Sequence, residues 1–234
     1  GEVIVRNCHT TGIIYGASHG LISNNCGRNG YVLIENCYTT GNILSSFSAG
    51  LVGDLCASNN GTVKINNCFT TGNISGRLCQ GLVGRFIGSG SSTISTGGLY
   101  ITNSYTLGNV TNITGEENEA CSGFIGIPTT LSDGSFYQNI YISNVYVAGK
   151  IDKNSYAIVP PSIEKTLPFY SFYYAANGNW NDCEANKRLD PDTIPNKANN
   201  NIWIDINKHS NNVPYRLGSF NNFLSELSID LILN

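Results

Sequence analysis

Apolar and β-branched positions fall in short runs of about four to six residues along this chain, each bounded by Gly or Asn. No stretch keeps a 3.6-residue period beyond about two turns, so the pattern predicts short strands and hardly any helix. The runs also recur. One phrase appears five times, as Val5-Arg6-Asn7-Cys8-His9-Thr10-Thr11-Gly12, Ile34-Glu35-Asn36-Cys37-Tyr38-Thr39-Thr40-Gly41, Ile65-Asn66-Asn67-Cys68-Phe69-Thr70-Thr71-Gly72, Ile101-Thr102-Asn103-Ser104-Tyr105-Thr106-Leu107-Gly108 and Ile142-Ser143-Asn144-Val145-Tyr146-Val147-Ala148-Gly149. Between its copies runs a second phrase: Gly20-Leu21-Ile22-Ser23, Gly50-Leu51-Val52-Gly53, Gly81-Leu82-Val83-Gly84 and Gly123-Phe124-Ile125-Gly126, with Ala157-Ile158-Val159 as a faded fifth.

Phrases that return at a near-fixed period are the mark of a solenoid. Along the Cys8 column the spacings are 37−8 = 29, 68−37 = 31, 104−68 = 36 and 145−104 = 41 residues. The phrases hold while the segments between them lengthen. Insertions therefore fall in loops such as Gly88 to Gly98 and Thr114 to Ala120. Three short strands per period, turning at Gly and Asn, describe an all-β parallel β-helix of about five to six coils, each about 4.8 Å above the last. Residues 1–160 form the array, and residues 161–234, which lose the period, form a final irregular coil and a C-terminal cap.

Stacking the coils turns phrases into columns. Val5, Ile34, Ile65, Ile101 and Ile142 form a β-branched column expected to point inward. Cys8, Cys37, Cys68, Ser104 and Val145, and two positions on Thr10, Thr39, Thr70, Thr106 and Val147, share that parity. The residue between, His9, Tyr38, Phe69, Tyr105 and Tyr146, is then expected to form an outward aromatic row, whose rings could stack on sugars or on one another. Arg6 should lie over Glu35 as an opposite-charge neighbour. The column Asn7, Asn36, Asn67, Asn103 and Asn144 reads as a structural ladder at a corner, since Asn tolerates the left-handed conformation and its amide can bond its counterpart one coil away.

The pairing of Asn-Cys-Tyr-Thr-Thr-Gly-Asn-Ile with Ala-Gly-Leu-Val-Gly resembles the GLUG-type repeat over roughly residues 3 to 160. That resemblance implies a right-handed β-helix, as in bacterial surface adhesins, secreted proteins and repeat proteins of large amoeba-infecting DNA viruses. It also implies a structural or adhesive module displayed on a virion or cell surface. Phe172-Tyr173-Tyr174, Asn179-Trp180-Asn181, Ile202-Trp203-Ile204 and Asn212-Val213-Pro214-Tyr215-Arg216-Leu217 look like the end of such an array. Ser104 and Val145 depart from the pattern at the Cys position, and Ala157-Ile158-Val159-Pro160 degrades the second phrase.

Composition narrows the function classes. A net charge of −3 supplies no basic stripe for nucleic acid. No apolar run approaches the roughly 20 residues of a membrane span, and no secretory h-region is present. Gly1-Glu2-Val3 enters a strand directly, so the open first coil is expected to self-associate, to dock on another subunit or to continue a longer chain.

Candidate chemistry is sparse. Cys26 and Cys56 each lie six residues after the Gly of the second phrase, and Cys79 and Cys121 two before it, which makes these pairs the disulfide candidates; the Cys8 column reads as free thiols filling a narrow core. Cys183 has no columnar partner. The chain lacks a Cys-x-x-Cys and ligand spacing around His9, His19 and His209, so neither metal nor other cofactor is expected. Asn60, Asn73, Asn109 and Asn112 open N-glycosylation sequons. Asp54 over Arg85 reads as a surface ion pair, and Glu116, Glu117 and Glu119 as a solvated acidic loop. The alternative function, a carbohydrate-active β-helix enzyme such as a polysaccharide lyase or hydrolase, needs clustered carboxylates that the columns do not provide.

Overall fold

The computed structural model describes residues 1–89, 97–116, 119–126, 139–147, 151–152, 154–156, 203–205 and 215–217. They are mostly strands in parallel sheets with almost no helix. Five strands, β1 (Glu2–Arg6), β4 (Tyr31–Glu35), β7 (Thr62–Asn66), β10 (Gly98–Thr106) and β12 (Asn139–Val147), stack in parallel, one per repeat. The two-residue strands β2 (His9–Thr10), β5 (Tyr38–Thr39) and β8 (Phe69–Thr70) stack beside them and merge into β10. A second sheet runs β11 (Val110–Asn112), β9 (Ile74–Arg77), β6 (Ile43–Ser46), β3 (Ile14–Tyr15). The second phrase adds a third row of single parallel bridges, Ile22↔Val52↔Val83↔Ile125 and His19↔Ala49↔Gln80↔Ser122↔Tyr156. Apart from this array, β13 (Trp203–Asp205) and β14 (Tyr215–Leu217) pair antiparallel.

Register carries the argument here. Val5, Ile34, Ile65, Ile101 and Ile142 are successive partners, as expected, and the last four are buried to 0–1% exposure. They share one apolar cluster with Ile43, Ile74 and Val110 of the second sheet and Val52, Val83 and Ile125 of the third row. The three rows therefore face a common core, and each fully buried Ile contributes about 1.5–3 kcal/mol through removal from water.

The corners divide labour between two residue types. Asn7, Asn36, Asn67 and Asn103 hold φ of 54°, 53°, 54° and 51°, so Asn takes the left-handed turn. The glycines of both phrases serve another purpose, close approach. A Cβ on Gly41 or Gly72 would strike the carbonyl oxygen of Gly12 or Gly41 one repeat back; on Gly50 it would strike Gly81 O and lie 2.6 Å from the Thr70 methyl.

That methyl points into the core while its hydroxyl goes unused. Thr10, Thr39, Thr70 and Thr106 have buried Oγ1 atoms with no hydrogen-bond partner among the described residues, and the fifth repeat carries Val147 in register with Thr106. A Thr70→Val variant is expected to gain about 1–3 kcal/mol by removing an unsatisfied buried group, whereas Gly50→Ala should lose stability. Urea unfolding of both variants checks the opposite signs, and a destabilised Thr70→Val would show that the hydroxyl has a partner in solution.

Candidate functional site

Three features could carry chemistry: the aromatic row, the polar ladders at the corners, and the cysteine columns. The aromatic row is real but does not face solvent. His9, Tyr38, Phe69 and Tyr105 stack with centroid distances of 4.9, 4.8 and 4.9 Å and interplanar angles of 7°, 4° and 3°. Tyr38, Phe69 and Tyr105 are exposed by only 1%, 0% and 3%. This corrects the outward, sugar-facing expectation. Strict alternation fails because β2, β5 and β8 are two-residue strands beside a bend, and each ring covers the faces of its neighbours. His9, first in the row and covered by a ring on one face, is the exposed member. The side chain of Tyr146 lies outside the described residues. Burial also raises the pKa of Tyr38 above the usual phenol value.

At the corners, side-chain carbonyls accept hydrogen bonds from side-chain amides or backbone N–H groups of the next repeat. Asn67 Nδ2 donates to Asn36 Oδ1 at 3.2 Å, and one repeat on the rung shifts, with Asn103 Nδ2 donating to Asn66 Oδ1 at 2.9 Å. The ladder of the first phrase is thus present, half-buried, and interrupted in register; the Asn144 side chain lies outside the described residues. A second ladder escaped the sequence reading: Asn73 N donates to Asn42 Oδ1 at 2.9 Å and Asn109 N to Asn73 Oδ1 at 3.0 Å. Its signal was the Gly-Asn dipeptide closing the first phrase at Gly41-Asn42, Gly72-Asn73 and Gly108-Asn109.

The third ladder contains charge. Asp54 N donates to Asn24 Oδ1 at 2.8 Å, and Asp54 in turn accepts from Arg85 N at 2.7 Å and from Arg85 Nη2 at 2.7 Å. The Asp54 and Arg85 side chains are only 12% and 14% exposed, so this is a largely buried pair and not the surface contact expected. The Arg85 guanidinium also lies 4.2 Å from the Phe47 ring centroid and 4.8 Å from that of Phe86. Nearby Arg77 pairs with Glu119 at 2.6 Å, which draws Glu119 out of the solvated patch read from the sequence. Arg6 and Glu35 pair at 2.7 Å as expected. Burial, opposed by the Asp54 charge, lowers the His19 pKa below its ordinary value.

Of the sequons, Asn60, Asn73 and Asn109 are exposed. Asn112 is 6% exposed and donates from Nδ2 to Glu116 O at 2.8 Å, so it is a structural amide in the folded protein and not an attachment point.

Cys8, Cys26, Cys37, Cys56, Cys68, Cys79 and Cys121 are free thiols. The expected disulfides Cys26 to Cys56 and Cys79 to Cys121 are therefore not formed, although both pairs are neighbours in adjacent repeats: Ala57 N donates to Cys26 O at 2.8 Å, and Cys79 N points at Cys121 Sγ at 3.4 Å. A disulfide needs its sulfurs about 2.05 Å apart, and in-register parallel strands hold equivalent side chains at the strand spacing. The neighbouring Cys68 thiol, aided by the Cys8 and Glu35 backbone and by the Cys8 thiol, lowers the Cys37 pKa to about 7 against the effect of burial; burial pushes Cys26 up to about 12. Among the described residues no group of three or more His, Cys, Asp and Glu converges on a point, and no helix is long and apolar enough to cross a membrane.

No family model, curated protein or solved structure matches this chain.

Two outcomes follow for stability. Asp54→Ala leaves the Arg85 guanidinium and backbone N–H without an acceptor and should cost about 1.5–3 kcal/mol. Asp54→Asn keeps the N–H acceptor and should cost less; equal losses in chemical denaturation would refute the ladder role. For Cys26, whose native pKa lies above the unfolded value, stability is fully present below about pH 8.5 and is lost as pH rises toward about 12. Cys26→Ala should flatten the decline in unfolding free energy between pH 9 and 11 by about 2.5 kcal/mol. A profile parallel to wild type would sink this assignment.

Proposed function

We propose that this chain is a structural module of a virion or cell surface, a right-handed parallel β-helix of GLUG-type repeats that acts as a stiff scaffold for its loops. The observation that carries the reading is the unbroken register of the five strands β1, β4, β7, β10 and β12. Equivalent residues lie over one another across every repeat, and the three rows share one core, which favours closure of each repeat into a coil. Stiffness follows from that stacking, since bending would break backbone, ring and amide contacts together.

Any adhesive role falls to the loops. The rings of Tyr38, Phe69 and Tyr105 are sequestered and so unavailable to stack on a glycan. Exposed Asn60 and the turn around it, outside the amide ladders, are the displayed polar surface nearest the repeats. Self-association falls to the edge formed by β1, β2 and β3, the end strands of their sheets, where Val3 and Ile4 are 54% and 49% exposed.

Small-angle scattering tests the architecture and the edge together. Wild-type protein should scatter as an elongated rod that lengthens with concentration, and Ile4→Lys should remain short at every concentration. A compact sphere would exclude the scaffold; identical concentration dependence in the variant would exclude the edge. Incubation with a polysaccharide panel should release neither reducing ends nor unsaturated products, and turnover abolished by changing one acidic residue would replace the scaffold with an enzyme.

A further inference from the structure

Each of the seven described cysteines has another cysteine as its neighbour in the adjacent repeat, in the columns Cys8–Cys37–Cys68, Cys26–Cys56 and Cys79–Cys121. Within the first column the sulfurs repeat the same local geometry. Cys8 Sγ lies 3.2 Å from Arg6 O, Cys37 Sγ 3.1 Å from Glu35 O and Cys68 Sγ 3.3 Å from Asn66 O, each the carbonyl two residues back. Side chains in one shared conformation are related by the repeat translation alone. The adjacent ring row measures that translation as 4.8 to 4.9 Å. Successive sulfurs in the column are therefore spaced by about the strand separation of roughly 4.8 Å.

That spacing selects among the reactions open to a thiol pair. It is more than twice a disulfide bond, so oxidation would require both side chains to leave their rotamers. It is also about twice a metal–thiolate bond of roughly 2.3 Å, so an ion midway between two sulfurs would sit at bonding distance from both, in a straight line. Convergent sites of three or more His, Cys, Asp or Glu ligands are absent among the described residues, which disfavours tetrahedral zinc. Soft thiolate pairs suit a monovalent d10 ion such as Cu(I) or Ag(I).

We propose that Cys8 and Cys37 form a linear two-sulfur site for a soft monovalent metal ion. Cys8 is the one half-exposed thiol among the seven, so the gap between it and Cys37 is the approach from solvent. Binding forms two metal–sulfur bonds and releases the thiol protons to water. The Cys8 N–H, 3.5 Å from Cys37 Sγ, remains as a donor to the coordinated sulfur. Above Cys68 the column ends, because Ser104 Oγ accepts the Cys68 N–H at 3.2 Å where a sulfur would continue it.

The test is titration of the reduced full chain with Cu(I) in competition with a chromogenic Cu(I) chelator, followed by X-ray absorption of the loaded protein. One equivalent should bind ahead of any others, with two sulfur neighbours at roughly 2.2–2.3 Å and no nitrogen or oxygen. Cys8→Ser, altering a half-exposed position, should weaken that equivalent at least tenfold, while Cys26→Ser should leave it unchanged. Retention of the first equivalent in Cys8→Ser, loss of it equally in Cys26→Ser, or three sulfur neighbours in the absorption spectrum would each overturn the site. Circular dichroism of the variants separates loss of the ligand from loss of the fold.

Discussion

The structure rests on one constraint, that each repeat must set its residues directly over their counterparts at the spacing of neighbouring strands. The hydrogen bonds between repeats are parallel-ladder bonds, and a slip of one residue would exchange the buried and outward faces of every strand. Everything else in the array is a way of enforcing that register. The Ile column fills the core only when aligned, the rings stack only when aligned, and the glycine columns close to a distance that no side chain could share.

Much of this was legible in the sequence, because translation repeats a chemical choice and repetition is visible in one dimension. The Ile, Cys and Thr columns, the left-handed Asn corner and the Arg6–Glu35 pair are all where the phrase alignment puts them. What eluded the alignment were features set by the third dimension. Alternation along Cys37-Tyr38-Thr39 reads as in, out, in, yet all three are buried, since a two-residue strand at a bend does not hold the pleat long enough to separate two faces. Asp54 and Arg85 look like surface charges in a list of residues. The alignment places Asn24, Asp54 and Arg85 in one column; only the structure shows that the pair is largely buried and that Asp54 continues the ladder begun by Asn24.

Much of the polar inventory is committed between repeats. Asn42, Asn73, Asn36 and Asp54, residues that in another protein would be read as candidate ligands or bases, have their oxygens committed to the repeat above or below. Arg85 is held between a carboxylate and two rings. Side chains so committed cannot change partners without loosening the stack, which is the physical reason for reading this chain as a scaffold. The thiols differ, for their weak hydrogen bonds leave the sulfur lone pairs available.

The glycine contacts bear on how such a molecule changes over generations. Gly41 packs against the carbonyl of Gly12 and is itself the surface against which Gly72 packs, so altering one of them disturbs two neighbouring units and point change is heavily penalised. Copying a whole unit is not, because a duplicate presents above what it requires below. Such a chain grows by tandem duplication and diversifies by insertion between the phrases, and the lengthening intervals from 29 to 41 residues are the trace that this history would leave.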